Sequence, residues 1–518
     1  MKKRYFLFCV LFSFYLNASV IYVNKDALGA NNGTSWINAY NTIEQAFGNS
    51  IVGDQIWIAQ GVYKPIGTSR STSYIIPNGV EVYGSFVGNE TSVSQRTFLN
   101  GPTTTLNGDI NSIGVQTDNC YTVVKFVNAS SLTIFDGFKI INGYNNSSSY
   151  GGAIYNQGGQ PTIRNCDLIA NYATNGGAFG NNTSASLVTT LISCKIKNNS
   201  AYLDGGAIIN QSGTLKLINC DISNNTAVYG GAVNVTSNLL IADRCIFSGN
   251  SASGNGGAIY LDNTGSSIEM YNSLIVGNYA PEKSVMGMNS PVSNTNVSKI
   301  IGCTIVNNRN ASTDPNSSFV IIMPYNNGVF RNNIMTNNIS PRVLLNGYVS
   351  NCIIDEIIAA NSTANVTTIA PSFVNANIAA AAPFAHNEFD YKLNSGSVGI
   401  NLGNNSFNNP LYNLDLSGSS RVYDVTVDVG AYEFSGNLSN TDSYTLQDLV
   451  IYPNPTSNLL YFKNFVEEFT FKIYSINGVL LKEGALNENN KTIDITNFKT
   501  GTYFVKTSNN QQFKVIKK

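Results

Sequence analysis

The sequence has 518 residues, 43% hydrophobic and 12% charged, with 30 basic and 31 acidic side chains and a formal net charge of −1. That length exceeds one compact core and calls for two to four domains or one elongated repeat array, and the balanced charge argues against nucleic acid or a membrane surface as the main partner. Asn (75) and Gly (45) both tolerate left-handed backbone, so turns recur at short intervals.

In chain order, Met1-Lys2-Lys3-Arg4 is a basic start, Tyr5 to Leu16 an apolar run too short to span a bilayer, and Ala18 a small residue suited to signal-peptidase cleavage. A secretory signal peptide over 1–18 is expected. Cys9 lies mid-run, where a lipidated cysteine would not sit, and no other segment is long enough to be transmembrane. Ile21-Tyr22-Val23 reads as a strand. Ser35 is placed to cap a short amphipathic helix using Trp36, Tyr40, Ile43 and Phe47, and Gln55 to Gln60 reads as the next strand.

From Cys166 a repeat is visible: Cys, any, aliphatic or Phe, any, any, Asn. It recurs as Cys166-Leu168-Asn171, Cys194-Ile196-Asn199, Cys220-Ile222-Asn225, Cys245-Phe247-Asn250 and Cys303-Ile305-Asn308. Ser273-Ile275-Asn278 and Asn332-Ile334-Asn337 keep the frame without the thiol, and Cys352-Ile354 is a decayed copy. From 166 to 303 the steps are 28, 26, 25, 28 and 30 residues, counting Ser273. A second motif, Gly-Gly-Ala-apolar, begins at Gly151, Gly176, Gly205, Gly230 and Gly256, 10 or 11 residues after Cys166, Cys194, Cys220 and Cys245. Two motifs in fixed phase indicate a solenoid. The segments are short, β-branched and interrupted by Asn and Gly, with no helical stripe. Leu215 and Leu217 have the opposite parity to Cys220 and Ile222, so the inward register breaks at Asn219, and Asn165 and Asn272 hold the same place. Asn in the left-handed region bends the chain there. Two strands meeting at that corner, plus a third after Gly-Gly-Ala, give three strands per turn: a parallel β-helix. Of the seven cysteines left after signal removal, Cys166, Cys194, Cys220 and Cys245 then stack inside, more readily as reduced thiols than as disulfides, and Asn ladders pair their amides along the stack.

The Gly-Gly-Ala-Ile and Phe/Ile-x-x-Asn motifs resemble the repeats of polymorphic outer-membrane proteins over about 150–310, which implies a right-handed helix. Gly33-Thr34-Ser35-Trp36 through Gly61-Val62-Tyr63 looks like the N-terminal cap of secreted bacterial β-helix proteins. Asp428-Val429-Gly430-Ala431-Tyr432-Glu433 is similar to the closing motif of that broad family, so Asp428 and Glu433 read as closure rather than catalysis.

After a polar linker, alternating segments around Leu459, Phe471, Leu480 and Tyr503 suggest a small antiparallel sandwich, with a hairpin turn at Asn477-Gly478. The motif residues Tyr452, Pro453, Asn454, Pro455, Asn477, Gly478, Gly501 and Tyr503, with the basic end Lys514 to Lys518, resemble the type A C-terminal sorting domain of the type IX secretion system. The resemblance covers 447–518. It implies the type IX machinery as partner, a Gram-negative host, passage across its outer membrane, removal of this domain, and release or attachment at the cell surface; an adhesive Ig-like module is the alternative. The expected organisation is all-β: signal peptide 1–18, N-terminal cap and first coils 19–100, right-handed parallel β-helix 101–435, linker 436–446, sorting domain 447–518.

Catalytic chemistry is hard to place. The one His, His386, sits in a loop-like segment and reads as a surface residue, leaving Ser-His triads and His-based metal sites without support. No phosphate loop, dinucleotide fingerprint or nucleophile elbow occurs, and no cofactor or metal is expected. Asp167 and Asp221 share a column but Lys195 lies between them and Ile246 follows; Asp204, Asp109 and Asp136 read as isolated turn residues. Tyr155, Tyr172, Tyr202, Tyr229 and Tyr260 near the glycine turns suit sugars or aromatic stacking along the solenoid. The expectation is a non-catalytic adhesion or carbohydrate-binding protein acting on extracellular polysaccharide or cell-surface glycan, with a polysaccharide lyase or glycoside hydrolase as the alternative.

Overall fold

The computed structural model describes residues 19–518 except 99, 263–264, 289–296, 312–318, 340–341, 360–361, 377–381, 424, 436–449, 464–468, 476–478, 488–489 and 509–511. The expected signal peptide, the linker 436–446 and the turn residues Asn477 and Gly478 lie outside the described residues. The chain forms two compact units, residues 1–436 and 437–518. Among the described residues no helix is long and apolar enough to cross a membrane.

The first unit is a parallel β-helix. One turn runs through Phe179–Asn182, Val188–Ile192 and Lys195–Lys197, followed by a short segment, Ser200–Asp204, in a separate sheet. Each strand pairs in parallel with its equivalent one turn on: Phe179 with Ile208, Leu191 with Leu217, Ile196 with Ile222. We call these stacked series the first, second and third ladders, and the series containing Ser200–Asp204 the fourth.

The corner between second and third ladders is the expected one. Leu217 and Cys220 are both buried, and Asn219 between them has φ 53°. Asn165 and Asn272 repeat it at φ 51° and 50°, Ser193 and Arg244 fill the same place, and each lets both flanking strands point inward. Enclosing a side chain such as Leu217 contributes about 1.5–3 kcal/mol relative to exposure. The Gly-Gly pair has two separate jobs. Gly205 sits at φ 63°, and a Cβ there would lie 2.0 Å from the Ile208 carbonyl oxygen; a Cβ on Gly206 would lie 2.2 Å from the Gly231 carbonyl oxygen of the next turn. The first glycine makes the turn, and the second lets adjacent coils approach.

All seven described cysteines are free and buried. Burial pushes the thiols of Cys303 and Cys352 up to about 12 and raises those of Cys194 and Cys245, so they stay protonated. Where the column lacks Cys, the replacement accepts from the turn before: Ser273 Oγ from the Cys245 amide (3.0 Å), Asn333 Oδ1 from the Cys303 amide (2.8 Å), so the frame expected as Asn332-Ile334-Asn337 runs one residue later, Asn333-Met335-Asn338, with Ile334 outward. The amide ladder is carried by Asn171, Asn199, Asn225, Asn250, Asn278, Asn308 and Asn338. Each Oδ1 from Asn199 onward accepts the backbone N–H of the preceding member at 2.9–3.0 Å. The corner residues take other partners: Asn219 donates to Ser193 and Asn165 to Asp136.

Two boundaries differ from expectation. The helix of the N-terminal region is Ile43–Asn49, capped by Thr42 Oγ1, which accepts the Gln45 amide at 3.3 Å. Ser35 instead closes a turn on Asn38, which sends Trp36 onto Tyr22, Trp57 and Phe86. The parallel ladder already includes Val20–Val23, and its last strand is Ser362–Thr367. The described residues of 372–435 add no further coils. Phe373, Phe384, Tyr391, Leu393, Val429 and Tyr432 instead form a cluster with Leu274, Val276, Val306, Ile334 and Ile353, on the outer face of the third ladder. We call this segment the strap.

The second unit packs a three-stranded antiparallel sheet (Val450–Tyr452, Leu459–Lys463, Thr492–Asp494) and a four-stranded one (Phe469–Ser475, Leu480–Leu486, Gly501–Thr507, Gln512–Lys517) around Leu460, Phe462, Ile473, Val505 and Val515.

Candidate functional site

Outward positions of the three ladders are the chemistry this fold can offer, because inward ones are filled by the core. On the first ladder the outward column runs Tyr155, Gly180, Ile209, Asn234, Tyr260, one residue per turn. Beside it the ends of the fourth ladder contribute Tyr150, Asn175, Asp204 and Tyr229 in register. The rings pair where the columns meet: Tyr150 and Tyr155 lie 5.9 Å apart, and Tyr229 stacks on Tyr260 at 5.0 Å. Tyr150 and Tyr229 are three turns apart, about 14 Å at the usual strand spacing. Gly180 makes room for Tyr150 to pack over the first ladder, since a Cβ there would lie 2.5 Å from the Cβ of Tyr150.

Asp204 sits between the two ring pairs. Asn234 Nδ2 donates to its Oδ1 at 2.9 Å. Burial, reinforced by the negative charge of Asp262, pushes its carboxyl up to about 6 against that hydrogen bond. Asp204 is therefore not isolated: Asp262, two turns on, shares its field, and the two also help push the Tyr260 phenol up to about 12, after burial. Of the five tyrosines singled out in the sequence, Tyr155, Tyr229 and Tyr260 meet on this strip. Tyr172 stacks on Tyr144 at 4.7 Å in the fourth ladder, and Tyr202 stands alone, 66% exposed. Asn234 and Tyr260 are buried beneath their partners, so the strip presents the rings of Tyr150, Tyr155 and Tyr229 and the partly exposed carboxylate of Asp204 along one axis.

The outward column of the third ladder is charged: Lys139, Asp167, Lys195, Asp221, then Ile246 and Leu274. Lys197 pairs with Asp221 at 2.5 Å. Burial raises the carboxyl of Asp167 against the pull of Lys195, Lys197 and Lys139. His386 is not a surface residue. It is half-buried within the strap, with Nδ1 3.1 Å from Ser248 Oγ, and burial lowers its pKa despite Asp221 nearby. Two carboxylates, three ammonium groups and a neutral imidazole thus share one face, although the sequence suggested only an interrupted column.

Asp136, Asp428 and Glu433 sit in networks of their own. Asp136 is buried between Arg164 (2.5 Å) and Arg96 (3.3 Å), with Asn165 donating at 3.0 Å. That corrects its reading as a turn residue; Arg96 comes from a loop whose approach has no periodic signal. Asp428 and Glu433 brace the end of the strap. Asp428 accepts from the amides of Asn401 (2.8 Å) and Phe434 (2.5 Å), and Glu433 accepts from the Asp428 amide and pairs with buried Arg421 at 3.2 Å. Burial pushes Glu433 up to about 8. Among the described residues, no three His, Cys, Asp or Glu side chains are grouped to hold a metal.

In the second unit, Asn454 clasps the edge of the last strand, donating to the Lys514 carbonyl (2.7 Å) and accepting from the Ile516 amide (2.9 Å). Tyr452 stacks on Tyr461 at 5.7 Å, and Tyr503 donates to the Lys499 carbonyl at 2.6 Å. Pro453 and Pro455 flank Asn454, and Gly501 opens a strand of the larger sheet.

Residues 450–518 match the family described as a secretion system C-terminal sorting domain, and residues 244–262 match the Chlamydia polymorphic membrane protein repeat. No curated protein matches the sequence. Among solved structures the chain is similar to pectate lyase Pel9A, with 16% identity, TM-score 0.51, 80% of this chain and 96% of that one covered. It is also similar to a rhamnogalacturonan lyase, with 14% identity, TM-score 0.39, and 68% and 88% covered. The first likeness shows the parallel β-helix fold. The sorting domain marks the protein as secreted or displayed at the cell surface.

Proposed function

We propose, with residues 450–518 as a type IX sorting domain, that this chain is exported to the surface of a Gram-negative bacterium, where its β-helix binds an extended carbohydrate polymer without cleaving it. The observation that carries this reading is the first-ladder strip, with two tyrosine pairs about three turns apart and Asp204 and Asn234 between them. Flat ring faces take the C–H face of a sugar, and the flanking carboxylate of Asp204, held by the buried Asn234 amide, takes its hydroxyls. A solenoid repeats such contacts at a fixed rise, which favours a polymer over a small molecule.

Gel retardation by a panel of plant, algal and bacterial polysaccharides tests it. At least one polymer should retard the protein, and Tyr155→Ala with Tyr229→Ala should abolish the retardation without new reducing ends in the wild type. Retardation by none, or unchanged retardation in the double variant, refutes the strip.

The second reading is polysaccharide cleavage. It is favoured by the gathering of Asp167, Lys195, Lys197, Asp221 and His386 on one face, where acids and bases stand within reach of each other. Turnover of any polymer that is lost in Lys195→Ala or His386→Gln would promote it.

A further inference from the structure

A cleft of about 390 Å³ opens on the outer face of the second ladder, away from both surfaces described above. That volume falls within the usual range of ligand pockets, about 300–1,000 Å³. Its floor consists of two outward columns. One is Thr214, Leu239, Ser267 and Val297; the next runs Lys216, Ile241, Glu269 and Lys299, of which Glu269 and Lys299 line the cleft. The first alternates hydroxyl and apolar side chains. The second ends in an ion pair, with Lys299 Nζ 2.6 Å from Glu269 Oε1, while the Tyr271 hydroxyl donates to Glu269 Oε2 at 3.0 Å.

The third outward column is roofed. Tyr412 of the strap stacks on Tyr271 at 4.6 Å, the Asn272 amide donates to the Tyr412 carbonyl (2.9 Å), and Lys216 Nζ lies 5.2 Å over the Tyr412 ring. Asn238 stands at the opposite rim in the left-handed region, φ 66°. The cleft thus has a hydroxyl-bearing apolar floor and a fixed ion pair whose charges cancel, with the stacked rings of Tyr271 and Tyr412 on the neighbouring column behind that pair.

We propose that this cleft is a binding site for a neutral sugar residue, held by a vicinal diol on the Glu269–Lys299 pair. One hydroxyl donates to a free lone pair of the Glu269 carboxylate, and its neighbour accepts from Lys299. The C–H face of the ring lies on Leu239 and Val297, and Ser267 and Thr214 reach the remaining hydroxyls. Because the pair is neutral as a unit, the site selects against acidic sugars, which would leave an unbalanced charge in a partly buried cleft. The ligand class rests on the carbohydrate reading above; the site, on a different ladder, is separate from the tyrosine strip.

Saturation-transfer NMR on the full secreted chain, with methyl glycosides of glucose, galactose, mannose, xylose and arabinose, tests the proposal. At least one glycoside should bind, Glu269→Gln should weaken it at least tenfold, Leu239→Trp should fill the cleft and abolish transfer, and Tyr202→Ala, outside both surfaces, should leave it unchanged. Transfer that survives both cleft variants overturns the site, and if Tyr229→Ala removes that transfer the strip reading stands alone. No transfer from any of the five overturns the site as well; failure of every polymer to retard the protein is what removes the carbohydrate reading beneath it.

Discussion

The two halves of the third ladder have the same backbone and opposite surfaces. From Lys139 to Asp221 the outward column alternates cation and anion; from Ile246 through Leu274 and Ile334 to Ile353 it is apolar apart from Thr304. The strap lies on the second half, where Leu274, Ile334 and Ile353 are buried against Tyr391, Leu393 and Val429. The first half stays open, with Lys195 exposed. A solenoid thus writes the position of its cover into one outward column: charges face water and each other, and an apolar run demands another layer. His386 marks the boundary, touching Ser248 on the covered side and feeling Lys197 and Asp221 on the open side.

That contrast can be broken from either side. The largest effect is expected from Leu274→Asp, which places an unpaired carboxylate under the strap. It should cost about 5 kcal/mol of stability, seen as a lower unfolding midpoint in urea and early proteolysis within 384–434. Arg421→Met leaves Glu433 buried without its partner and should cost about 3–4 kcal/mol by the same measurement, with cleavage near the end of the strap.

Acid should act selectively at the boundary. The His386 pKa is lowered in the fold, so below its ordinary value of 6.5 the unfolded chain takes up a proton that the folded one resists. That contribution to stability is present above pH 6.5 and is lost as the pH falls below it. The groups facing the imidazole are Ser248, Lys197 and Asp221. Proteolysis at the Phe384–Phe389 segment should quicken between pH 6.5 and 5 in the wild type, and His386→Gln should flatten that dependence. The smallest effect belongs to Lys195→Ala on the open half, which should change stability by less than about 0.5 kcal/mol in the same urea titration.

What was readable in the sequence was whatever recurs. Cys220-Ile222-Asn225 and Gly205-Gly206-Ala207 announce strands, a corner and a glycine turn because every coil meets the same steric problem. Asn219 was placed correctly at a left-handed corner from a change of parity alone. Contacts that occur once were not readable. Ile246 and Leu274 were visibly apolar in an outward register, yet the strap that covers them comes more than a hundred residues later and carries no period. Asp136 read as a lone turn residue because its partners, Arg96 and Arg164, lie on either side of it in separate coils. Asp204 read as isolated because Asp262 lies two turns away, after a strand rather than before one. The buried amides of Asn156, Asn181 and Asn210, joined at 2.8 Å, fell inside segments that read as apolar strands. Their sequence signal was there, an Asn two residues after the apolar residue of the first three Gly-Gly-Ala motifs.

The central claim is that the first ladder, rather than the charged half of the third, meets the ligand. Hydroxyl-radical footprinting of the full secreted chain, with and without the polysaccharide that retards it most, measures this side chain by side chain. The account predicts that Tyr150, Tyr155 and Tyr229 become protected while exposed Tyr202 and the boundary residue His386 react as before. Unchanged labelling of Tyr155 and Tyr229, with protection appearing at His386, would contradict it.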